Sequence, residues 1–192
     1  MFSKVKSFSV VGIQAYPVEI EADISAGLPQ INVVGLPDST VKESKERIRS
    51  AIKNCGFKYP SQRITINLAP ADIKKEGSCL DLPIALGILA ASGLINEDNL
   101  AKYVFIGELS LNGTLRPVKG VLPIAMTMAK KGLSELILPK QNAFEAGVIK
   151  KLSAYPINNL KEAINFLNEQ SIIKSVYLNT DDLLKHTSDY PF

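Results

Sequence analysis

From Ile64 to Gly93 the chain reads ITINLAPADIKKEGSCLDLPIALGILAASG. Ile64–Leu68 alternates apolar and polar residues with the period of a strand, and Ala69-Pro70 ends it because proline cannot extend the ladder. Asp81 begins a helix: its side chain can accept free amide hydrogens of the first turn, and Pro83 sits where a missing N–H costs nothing. Between them Ala71–Leu80 reads as an exposed polar loop, carrying KKEGSC to the positive end of a helix. A strand, a glycine-containing loop and a helix N-terminus is the layout of many active sites and anion sites.

Working outward, Lys4–Gly12 and Val18–Ser25 read as two strands of a hairpin separated by Tyr16-Pro17, and Ile31–Val34 as a third strand. Leu36-Pro37-Asp38 caps a helix over Ser39–Asn54 that Gly56 ends. Val41, Ile48, Ile52 and Cys55 share one face of it, and the other face is dense with charge. On the far side of the central stretch, Tyr103–Leu111 reads as a strand, Asn112-Gly113 as a tight hairpin turn and Thr114–Val118 as the returning strand. Val121–Gly132 reads as a helix with an apolar face of Leu122, Ala125, Met126 and Ala129. Glu135–Leu138, a helix near Ala143–Val148, Leu152–Tyr155 and a helix over Leu160–Asn168 complete the compact part. From Ser171 the pattern loosens, so residues 1–170 are expected as one domain and 171–192 as a linker. Strands first, then alternating helices and strands, predict an α+β or mixed α/β domain with helices on a partly antiparallel sheet.

The 192 residues suffice for one core without disulfide support. The two cysteines fit a reducing compartment, and with no apolar run of membrane length and no secretory leader a cytoplasmic protein without membrane partners is expected. The one histidine, His186, lies in the expected linker, which excludes a Ser-His-Asp or Cys-His catalyst from the folded body. Two distant cysteines and that histidine make no zinc spacing, and there is no G-x-x-x-x-G-K-[ST], so neither a metal nor a nucleotide cofactor is expected in this chain. A serine with a lysine base remains, from Ser78 or Ser110 with Lys74, Lys75 or Lys119, and it would need a buried lysine. Lys74, Lys75 and Glu76 read as a solvated loop or as an interface, and Asp81 as an N-cap. Lys42, Lys45, Arg47, Arg49, Lys53, Lys58 and Arg63 form a basic cluster. Glu43 with Arg47 and Lys42 with Glu46 stand four apart and can neutralise part of it. The cluster is a solvated face or a nucleic-acid or partner surface; Phe57 and Tyr59 are the aromatic residues at hand for stacking.

Three long segments then carry a resemblance: GLPQINVVGLPDSTVKESKERIRSAIKNCGF (27–57), RITINLAPADIKKEGSCLDLPIALGILAASG (63–93) and FIGELSLNGTLRPVKGVLPIA (105–125). Over Val5–Asn168 the chain closely resembles the N-terminal domain of the ComM/YifB family, the magnesium-chelatase-like AAA+ proteins. The resemblance implies a fold similar to the Lon proteolytic domain, of the ribosomal-protein-S5 domain-2-like type. It also implies an AAA+ module to follow, with Asp189-Tyr190-Pro191-Phe192 at the place where it would begin. ATP and Mg²⁺ would belong to that module, the full protein would be a hexameric ATPase, and single-stranded or branched DNA would be its substrate in transformation or recombination. Lon's D-G-P-S-A-G serine loop matches Glu76–Asp81 with Cys79 in the serine's place and Ser78 beside it. Gly107–Gly113 and Pro117–Gly120 match the segment before Lon's lysine, and Leu122 stands at the lysine position. With the dyad gone on both sides, the resemblance implies a non-catalytic domain that supports ring assembly or guides DNA. The alternatives are a protease or chelatase component that keeps chemistry through Ser78 or Cys79, and a pure oligomerisation module.

Overall fold

The computed structural model describes residues 1–177. Two long antiparallel strands open the chain, β1 (Phe2–Val11) and β2 (Gln14–Ser25), paired from Phe2 opposite Asp23 to Val11 opposite Gln14. The turn falls at Gly12-Ile13, where Gly12 takes φ 62°, and not at Tyr16-Pro17. Pro17 is tolerated inside β2 because it stands opposite Phe8, and the other edge of β2 pairs only from Glu19 onward, so no ladder bond is lost.

Strand β3 (Gln30–Val34) leads through α1 (Ser39–Asn54) to β4 (Arg63–Ala69), which runs parallel to β3 and antiparallel to β2. The ends of α1 follow local rules: Val41 N–H donates to the Asp38 carboxylate at 2.8 Å, and Gly56 takes φ 85° beyond the last turn. Helix α2 (Asp81–Ala91) is the centre of the fold. All eleven of its residues are buried, so it carries no polar stripe. It approaches the sheet closely at Gly87, where a Cβ would lie 3.4 Å from both Val5 and Ala22, and Ser3 Oγ donates to the Gly87 carbonyl at 2.8 Å.

After α3 (Glu97–Leu100), the expected strand 103–111 divides into β5 (Val104–Phe105) and β6 (Glu108–Leu109). Gly107 causes the break: its N–H donates to Cys79 O at 2.8 Å and its carbonyl accepts from Leu82 N–H at 3.0 Å, pulling the chain off the sheet toward the start of α2. Strand β6 pairs instead with β7 (Leu115–Arg116). The connection is not the expected two-residue Asn112-Gly113 turn but the three residues 111–113, closed by Gly113 N–H donating to Ser110 O at 2.9 Å, with Gly113 at φ 83°. Helix α4 (Val121–Lys130) follows, then β8 (Glu135–Pro139), α5 (Ala143–Gly147), β9 (Ser153–Ile157) and α6 (Leu160–Leu167). The main sheet has seven strands in the order β3-β4-β2-β1-β5-β8-β9. Its pairings are mostly parallel, and the domain is mixed α/β, as the element order predicts.

Helix α4 buries a different face from the expected one: Val121, Ile124, Ala125 and Met128 point inward, while Leu122 and Met126 are 38% and 45% exposed. Both sets satisfy a 3.6-residue period. Gly120, at φ 79°, precedes the helix so close to β1 that a Cβ on it would lie 2.9 Å from Val10, and Val121 beside it is buried. At the C-terminal end, Val176 N–H donates to Ala154 O at 2.8 Å, so the first residues of the expected linker lie along β9. The rest of it, His186 included, falls outside the described residues.

Candidate functional site

The serine loop is held by its backbone. Lys75 exchanges hydrogen bonds with Leu36 O and Asp38 N–H, both 3.1 Å, and the second Asp38 carboxylate oxygen accepts Gly77 N–H at 3.3 Å. Gly77 takes φ 87°, a conformation that strains residues with a Cβ, and Ser78–Leu80 then forms a 3-10 turn into α2. A cleft of about 500 Å³ opens here, lined among others by Asp38, Gly77, Ser78, Glu108, Lys119 and Gly120. The Ser78 hydroxyl donates to the Glu108 carboxylate, whose other oxygen lies 3.5 Å from the Arg116 guanidinium.

Cys79, at the position of Lon's nucleophile by resemblance, is buried with its sulfur 3.6 Å from Phe8 O. Burial, with Asp81 adding to it, pushes its thiol up to about 12, so it stays protonated and unreactive. Alkylation of Cys79 by iodoacetamide at pH 8, followed by peptide mass mapping, is expected to run at least about a hundredfold slower in the native chain than in urea. Equal rates would mean that the loop opens freely. Leu122 does not line the cleft; it lies on the outer side of α4 with its N–H donating to Glu145 at 3.0 Å. Lys119, three residues earlier, is the amine that lines it. Of the lysines that the sequence offers as a base for Ser78 or Ser110, Lys119 is the one that lines the cleft with Ser78; Glu108 has no role in that reading, although it lies within a motif segment.

The loop differs from the exposed polar loop expected. Lys75 is fully buried, with its ammonium donating to Pro70 O, and desolvation lowers its pKa against the pull of Asp72. Lys74 is exposed and pairs with Glu76 at 2.9 Å. Asp81 does not cap α2. It is the first residue of the helix, and its carboxylate accepts Arg47 Nε at 2.9 Å, Arg47 Nη2 at 3.1 Å and Leu109 N–H at 3.2 Å. Burial pushes Asp81 up to about 6, and the guanidinium only partly offsets that cost. Arg47 is therefore withdrawn from the basic cluster: it lies on the side of α1 that faces α2, and its charge is committed to Asp81.

The other cations of the cluster stay on the outer surface. Neither expected helical pair forms, Lys42 with Glu46 or Glu43 with Arg47, among the described residues. Lys45, Arg49 and Lys53, each four residues after the last, line a second cleft of about 300 Å³ between α1 and the segment 59–62. Lys45 Nζ donates to Ile31 O at 3.2 Å, and the Arg49 guanidinium carbon lies 5.9 Å from the centre of the Tyr59 ring. The Tyr59 hydroxyl is buried without a hydrogen-bond partner, and burial pushes it up to about 12. Arg63 opens β4 with its side chain against Gly27, and Lys42 is exposed one turn before Lys45. Among the described residues no group of three His, Cys, Asp or Glu is placed to hold a metal ion, and no helix is long and apolar enough to cross a membrane.

Comparison with known proteins places these features in a family. Residues 20–142 match the family model described as subunit ChlI of Mg-chelatase. The chain is 49% identical over 166 residues to competence protein ComM of Haemophilus influenzae, covering 86% of this chain and 32% of that protein. It is 44% identical over 163 residues to the uncharacterized protein YifB of Salmonella typhimurium, covering 85% and 32%. A weaker similarity, 27% over 168 residues, links it to Lon protease 2 of Bacillus subtilis, covering 79% and 30%. The chain thus spans about a third of the length of these relatives. Because the family model matches well over half of its residues, the chain belongs to the magnesium-chelatase ChlI-like family, with ComM and YifB among its homologues and a Lon-like domain as its fold.

Proposed function

We propose that the chain is a non-catalytic N-terminal domain of a longer AAA+ ATPase of the ComM/YifB type, and that it supports the ring and carries DNA during recombination or competence. ATP and Mg²⁺ would be held by the AAA+ module, the ring would be a hexamer, and the protein would work in the cytoplasm. The observation that carries the DNA part is the ridge of Lys45, Arg49 and Lys53 along one side of α1, three cations with a single carboxylate, Glu46, in the same cleft. The non-catalytic part is supported by the buried Cys79 thiol and by Leu122 on the outer surface of α4.

Titration of labelled single-stranded and branched DNA with the chain, followed by anisotropy at two salt concentrations, tests it. Saturable binding is expected, weakening with salt, and the Lys45→Gln/Arg49→Gln/Lys53→Gln variant is expected to lower the single-strand log–log salt slope by about 2, near 0.7 per phosphate contact. No binding at micromolar protein would move the DNA work elsewhere and leave this domain as a scaffold. Residual Lon-like hydrolysis is the second reading, favoured by the Ser78 hydroxyl on Glu108. Casein cleavage that is lost in Ser78→Ala would establish it over the first.

A further inference from the structure

The cleft beside α1 has a composition that a simple cationic ridge does not need. Three cations stand along one wall, and the opposite wall is formed by Tyr59, Pro60 and Ser61, with the tyrosine ring and the proline giving flat apolar surface. Arg49 lies over the Tyr59 ring, so a charged group and a stacking face meet at one place. At about 300 Å³ the cleft lies at the small end of ligand pockets and suits one nucleotide unit.

We infer that this cleft seats a single unstacked nucleotide of a single-stranded nucleic acid, with its phosphate on Arg49 and Lys53 and its base against Tyr59 and Pro60. The inference rests on the DNA-carrying reading above and makes it more specific. A duplex keeps its bases stacked and paired, so it can offer its phosphates to the ridge but cannot place a base between the walls. Single strands are held by this combination of basic track and aromatic platform, with little dependence on sequence. Glu46, the carboxylate in the cleft, disfavours a second phosphate beside the first and so limits the site to one unit.

The test compares a labelled fifteen-residue oligothymidylate with a duplex of equal length by anisotropy, using the chain, the Arg49→Gln/Lys53→Gln variant and the Ser61→Leu variant. Ser61 is exposed at the mouth of the cleft, so Ser61→Leu narrows it without changing charge or core, and a circular-dichroism melt of each variant checks the fold. The expected result is a preference of about tenfold or more for the single strand. Ser61→Leu should remove most of that preference and leave duplex affinity and salt slope unchanged, whereas Arg49→Gln/Lys53→Gln should weaken both ligands and reduce both slopes. Equal affinity for the two ligands, or a Ser61→Leu variant that binds the oligothymidylate like the parent chain, would overturn the cleft while leaving DNA binding by the ridge intact. Absence of binding to either ligand would overturn the DNA-carrying reading and the cleft with it.

Discussion

Arg47→Met is expected to destabilise the fold by about 3–5 kcal/mol at neutral pH, the usual cost of removing one partner of a buried ion pair. Asp81 is 1% exposed, and without the two guanidinium bonds its carboxylate would keep only the Leu109 N–H. The pH dependence follows from the sign of the shift. Burial already holds the folded carboxyl at about 6, against 3.8 for the ordinary group. Between those values the folded chain keeps a proton that the unfolded chain has released, so the contribution of this group to stability falls as pH rises through that window. Arg47 opposes the shift, so its removal carries the folded value higher and extends the window upward. Urea unfolding at pH 5 and pH 8 should therefore show a larger gap between variant and parent at pH 8, growing by at most about 1.4 kcal/mol per pH unit inside the extended window. Asp81→Asn in the same background should recover part of the loss, because no charge is then left buried. An equal loss at both pH values with no recovery would mean that Arg47 contributes packing and not charge.

Gly35→Ala is expected to cost more than about 4 kcal/mol or to prevent folding, a size confined to a few mechanisms of which backbone overpacking is one. Gly35 takes φ 93°, and a Cβ on it would lie 2.2 Å from Leu68 O, with Leu68 C and N at 2.8 and 2.9 Å. These are backbone atoms of β4, which is paired on both sides, by β3 and by β2, so nothing near can rotate away. Gly56→Ala is the control. Gly56 takes a similar φ of 85° with nothing within 4 Å of the added carbon, so it should cost only the roughly 1–2 kcal/mol of a left-handed residue. With about 2–4 °C per kcal/mol for a chain of this size, the melting temperatures should separate by several degrees. Matching melts would show that the link between β3 and α1 moves off β4 at little cost.

Sequence alone determined the features whose causes lie within a few residues. Asp38 and Gly56 fixed both ends of α1, and Gly113, at φ 83°, fixed the place where β6 turns back to β7. Alternation located most strands, and three long motifs identified the family, which is why the mixed α/β class and the place of the serine loop were legible. Tertiary structure decided everything that depends on partners distant in the chain. Arg47 meets Asp81 34 residues away and so leaves the surface cluster to which its neighbours belong. Gly107 bonds to Cys79 and Leu82, which splits a run that alternates like one strand. Periodicity allowed two faces of α4, and packing against the rest of the core buried the one with Val121, Ile124, Ala125 and Met128. Lys75 and the hydroxyl of Tyr59 are polar groups whose burial no local pattern signals, because whether a side chain meets water is set by the elements that close over it.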